Sequence, residues 1–81
     1  MKYLKRFEKT VNNLNVSNHI KIVLKNSFKR LDRGTVHYQD LKNNIYSLYV
    51  FDMIHDDEYD ELLDLLFHQQ LIVSNNWRKG R

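Results

Sequence analysis

Four histidines and ten carboxylates are the side chains on which general acid–base or metal chemistry would draw, and their spacing supports neither. His19, His37, His55 and His68 stand on separate segments, without the i, i+4 pairing that sets two imidazoles around a zinc ion. HExxH, GxSxG and a phosphate-cradling glycine loop are missing, and there is no cysteine for a thiolate site or a disulfide. The carboxylates that do cluster fall on one helix face rather than across a cleft, where paired acids would work on a substrate. The expectation is a protein without catalysis, metal or cofactor.

The chemistry that remains is charge, sorted by segment. Residues 1–33 hold nine Lys/Arg against two acids, residues 52–72 hold seven acids and no Lys/Arg, and residues 73–81 hold three Lys/Arg alone. At helical spacing, Lys2, Lys5, Arg6 and Lys9 form one basic ridge, while Lys21, Lys25, Lys29 and Arg33 form a second. If the two helices make an antiparallel hairpin, the ridges merge into a surface suited to nucleic-acid phosphates, since neutralising each phosphate releases condensed counterions. Trp77 beside Arg78, Lys79 and Arg81 adds the aromatic-plus-basic pattern by which single strands are stacked and held. The ordinary alternatives are solvated helix faces and a frayed end.

Asp57, Asp60, Glu61 and Asp64 repeat the first ridge with opposite sign. Acids in a first turn favour the helix dipole, but Asp60, Glu61 and Asp64 lie deeper. They would dock on a basic partner, mimic phosphates, or pair with the first two helices of the same chain. Tyr46 and Tyr49 are the aromatic candidates for a protein contact, because interface energy concentrates in such anchors.

Four helices are needed to place these side chains, and the expected fold is all-α: a small four-helix bundle over residues 1–72 with a basic tail at 73–81. Leu4, Phe7, Val11 and Leu14 predict a first helix from Lys2 to Leu14. Ser17 is the expected cap of a second, running to Asp32 with Ile20, Val23, Leu24, Ser27, Phe28 and Leu31 inward, and Gly34 closes it. Thr35 caps a third from Val36 to Met53, apolar on one side through Tyr38, Leu41, Ile45, Leu48 and Tyr49 and on the other through Tyr46, Val50 and Met53. A helix of that kind is central in a bundle or shared with a partner. A short buried strand at YSLYVF is the weaker reading. His55 with Glu58, and Ile54 with Tyr59, predict a capping box and hydrophobic staple for a fourth helix ending near Leu71, with Tyr59, Leu62, Leu63, Leu66 and Phe67 inward. A helix-turn-helix reading of the second and third helices fares poorly, because only Lys42 among the recognition positions is basic.

Length allows one modest core. No apolar run approaches the roughly 20 residues of a membrane span and no signal-like leader opens the chain, so a soluble cytoplasmic protein is the expectation. The composition, without alanine or proline, suggests AT-rich coding and resembles short reading frames of phages and mobile islands; no motif names a family. The sequence thus points to an accessory protein binding single- or double-stranded DNA along its backbone, with companionship to a larger replication or recombination enzyme as the expected setting. The alternatives are a phage- or island-encoded modulator that binds a protein and never touches DNA, and a homodimer whose basic and acidic blocks meet.

Overall fold

The computed structural model describes residues 2–31 and 36–79, with side chains as far as Asn75. Arg33, Gly34, Thr35, Arg81 and the side chains of Trp77, Arg78 and Lys79 lie outside the described set. Four helices follow one another: α1 (Leu4–Asn12), α2 (Asn18–Arg30), α3 (Tyr38–Val50) and α4 (Asp56–Lys79). No strand occurs among the described residues, so YSLYVF is the end of a helix.

Side-chain partners give the directions of the helices. Glu8 meets Lys29 while Asn12 meets Lys21 and Lys25, so α1 and α2 are antiparallel. Tyr3 meets His68 while Arg6 meets Glu61, so α1 and α4 are antiparallel as well. Tyr46 and Tyr49 both meet Tyr59, which joins α3 to α4. α2 and α3 complete the ring but pack least closely. The result is an up-down-up-down bundle, 42 Å long and 19 Å across.

The core follows the apolar spacing. Phe7, Val11 and Leu14 from the first segment, Leu24, Phe28 and Leu31 from the second, Leu41 and Ile45 from α3, and Leu62, Leu65 and Leu66 from α4 are buried together. At its centre the rings of Phe7 and Phe28 stack with centroids 4.0 Å apart. Two inward assignments and one helix end need correction. Phe67 is 50 % exposed and Leu65 is buried instead, because α4 lies between α1 and α3 and its buried arc centres on Leu62, Leu66 and Gln69. Val23 is 43 % exposed, since α2 and α3 stand too far apart to cover it. Finally, α4 does not end near Leu71: it runs to Lys79, with Val73 buried, because nothing between Ile72 and Lys79 breaks a helix.

The ends of the helices have local causes. Ser17 caps α2 as expected, its Oγ accepting the Ile20 N–H at 3.3 Å. The Glu58 carboxylate accepts the His55 N–H at 2.8 Å, the backward half of a capping box, and Ile54 is buried in the core against which Tyr59 packs. α3 closes on a residue the sequence did not flag. Asp52 has φ 59°, its N–H donates to the Tyr49 carbonyl, and the Met53 N–H donates to the Leu48 carbonyl. That pair of bonds is a Schellman closure with aspartate where glycine is usual.

Two substitutions test this account. Asp52→Gly relieves a left-handed conformation costing roughly 1–2 kcal/mol in a residue with a Cβ, so chemical denaturation should give a higher midpoint. Phe28→Ala removes a fully buried ring and should cost about 3–5 kcal/mol, enough to unfold most of a domain this small. A midpoint unchanged by either would contradict the geometry.

Candidate functional site

Helix α1 carries its charges in sectors. Phe7 and Val11 point into the core, Glu8 and Asn12 lean toward α2, and Arg6 leans toward α4. Lys5 and Lys9 occupy the crest between and are exposed, as is Lys2, which precedes the helix. No ion pair reaches these three among the described residues; Lys2 Nζ lies 5.6 Å from the centroid of the Tyr3 ring.

The lysines of α2 lean across to α1. Lys21 Nζ donates to the Asn12 carbonyl at 2.9 Å, and Lys25 Nζ donates to Asn12 Oδ1 at the same distance. Asn12 ends α1, so these ammonium groups sit where that helix exposes unpaired carbonyls and its negative dipole end. Lys29 Nζ stands 3.7 Å from Glu8 Oε2. The α2 ridge therefore leans over the α1–α2 groove, where Glu8 pairs with Lys29, while Arg6 of the α1 ridge turns to α4. These lysines have a structural role that spacing alone did not disclose.

The acidic ridge stays largely apart from the basic one. Arg6 and Glu61 join them at 3.4 Å. Asp57 accepts the Glu58 N–H, and Asp64 has His68 Nδ1 at 3.3 Å within its own helix. Both pairs are exposed, so each contributes little by itself. Asp57, Asp60 and Asp64 remain on the outside of α4.

A third surface is apolar and lies at the end of α3. Helix α3 packs chiefly on α4 and less closely on α2, and its second apolar face is left in solvent. Tyr46 is 53 % exposed, Val50 is close to that, and Phe51 is 74 % exposed. Tyr49 is half-buried and stacks on Tyr59 at 4.3 Å. Beside them an open depression is lined by Tyr49, Val50, Ile54 and the acids Asp52, Asp56 and Asp57. A second groove of about 320 Å³ runs between α2 and α3, lined by His19, Ile20, Val23, Leu24, Asn44, Ser47 and Leu48.

The Tyr49 hydroxyl lies against Asp56, whose hydrogen bond and negative charge hold the phenol pKa above the usual 10.0. Among the described residues no group of three or more His, Asp or Glu side chains is placed to hold a metal ion. No described helix is long and apolar enough to cross a membrane.

Two outcomes follow. Lys21→Gln should destabilise the fold by about 0.3–1 kcal/mol through loss of the cation at the α1 terminus, an effect that shrinks in high salt. Because the phenol of Tyr49 is raised in the folded state, its contribution to stability is present below pH 10.0 and disappears as pH climbs through the raised value. Spectrophotometric titration should therefore find a late phenolate transition for Tyr49, which Asp56→Asn should move to lower pH.

The chain matches no protein-family model, no curated protein and no solved structure in these comparisons, so its reading rests on the surfaces just described.

Proposed function

We propose that this chain is a small non-enzymatic accessory protein that holds the phosphate backbone of nucleic acid on its α1–α2 face, without reading base sequence. The observation that supports this reading is the reach of Lys21, Lys25 and Lys29 onto Asn12 and Glu8 of α1, a helix that itself exposes Lys5 and Lys9. Lysine ammonium groups suit this task as mobile point charges that follow a backbone rather than clamp one base edge. The acids of α4 lie on a different flank, so nucleic acid would meet one side of the protein and be repelled by another. A companion role beside a larger replication or recombination enzyme fits that division, with the α4 flank turned to the enzyme.

A second reading rests on the uncovered end of α3. Tyr46, Val50, Phe51 and Met53 form an exposed apolar surface next to Asp56 and Asp57, a combination suited to a protein partner with a basic rim. The chain would then act as a modulator without touching DNA.

Binding to short duplex and single-stranded DNA across a salt series separates the two. If phosphates are held by about five lysines, log affinity should fall with log salt at a slope near −4 to −5 for duplex. Lys2→Glu with Lys5→Glu and Lys9→Glu, which leave the contacts to Asn12 and Glu8 intact, should then lower affinity at least tenfold, with helix content unchanged. Absence of binding at low salt, together with capture of one stoichiometric protein that Phe51→Ser and Tyr46→Ser abolish, would establish the modulator instead.

A further inference from the structure

We propose that the uncovered end of α3 seats an amphipathic helix of a partner protein, one that carries arginine or lysine along the edges of its apolar face. The inference rests on the second reading above and deepens it by naming the kind of segment bound. Tyr46 and Val50 stand one turn apart on the outer side of α3, and Phe51 and Met53 follow where the helix closes; all four are exposed. Val50 is also a wall of the open depression that continues toward α4 with Tyr49 and Ile54. Ridge and depression share that residue and so form one surface.

Charge decides what covers it. Asp52, Asp56 and Asp57 border the depression and are exposed. No Lys or Arg occurs between Lys42 and Arg78 in the chain, and among the described residues no ion pair reaches these three acids. The Tyr49 hydroxyl donates to Asp56 and the Glu58 N–H to Asp57, which leaves carboxylate lone pairs open on both. A second copy laid on this surface face to face would set its own acids against these, and like charges so placed disfavour self-association. Nucleic acid and anionic lipid are repelled for the same reason. An apolar segment with a cationic border is the occupant that uses both parts of the surface. Among the described residues there is no strand whose edge an extended peptide could lengthen. Tyr46 and Val50, at i and i+4, instead form the kind of ridge that a second helix takes into its groove. Asp52 adds to this: its left-handed backbone would be more stable with glycine, so the carboxylate at the rim is kept at a cost to the fold.

The test is titration of the full chain into a dye-labelled, helix-forming peptide of about 14 residues, with leucines at i, i+3, i+4 and i+7 and arginines beside them. One control peptide has glutamate for arginine, and another has the leucines spread round the helix. Saturable one-to-one binding of the arginine peptide, weaker at about 0.5 M than at about 0.05 M salt, is expected, with neither control bound. Val50→Ser with Phe51→Ser should abolish it. Asp52→Gly with Asp57→Asn should weaken it roughly fivefold. Since Asp52→Gly raises the denaturation midpoint, that loss is not one of folding. No binding of the arginine peptide, equal binding of either control, an affinity unchanged in either variant, or a wild-type dimer that Phe51→Ser dissolves would each overturn the proposal. A stoichiometric protein captured through Phe51, yet held as tightly by the chain with Asp52→Gly and Asp57→Asn, would overturn this inference and leave the modulator reading standing. Peptide binding as expected, with no protein captured, would count against the modulator reading alone.

Discussion

The stacked rings of Phe7 and Phe28 are the contact on which the rest of this molecule depends. Helix α1 has nine residues, too few to persist alone in water, and its tie to the bundle is the burial of Phe7 and Val11. The same contact holds α2 against α1 and brings the Lys29 end of one beside the Glu8 turn of the other. Remove it, and the basic ridges become two unrelated charged segments. Electrostatic display here is a product of packing, since the lysines themselves repel one another and would not gather unaided.

Polar contacts at the α1–α2 boundary then divide the cations into two kinds. Lys21 and Lys25 serve the fold by holding the end of α1, yet both keep part of their surface in water. Lys5 and Lys9 have no such duty. The acids of α4 might have absorbed this charge, and internal pairing is the usual fate of opposite blocks in a small protein. Only Arg6 with Glu61 does so between α1 and α4 among the described residues, because the crest of each helix points away from the seam they share.

Much of the fold was legible because it rests on local rules. Apolar residues at three- and four-residue spacing located all four helices, Ser17 and the His55–Glu58 pair located two starts, and Ile54 and Tyr59 both turn to the core. What failed depends on neighbours. Val23 and Phe67 are as apolar as Leu24 and Leu66, and only the spacing of α2 from α3, or the position of α4 between α1 and α3, leaves them in solvent. Asp52 went unnoticed since aspartate marks a left-handed cap less often than glycine. For the surfaces, the ridges could be read from spacing, and so could their opposite signs. That lysines of α2 would bond to the last residue of α1 could not, because it needs the register between two helices.

Helix α4 has 24 residues, against nine to thirteen in its neighbours, and so outruns them. Its later turns pass the level of Tyr3, the residue before α1 starts, and the backbone at Arg78 and Lys79 is still helical. That end of the bundle is therefore asymmetric: one helix continues past the start of α1, and a molecule approaching there would meet a helical backbone and not a turn between two helices.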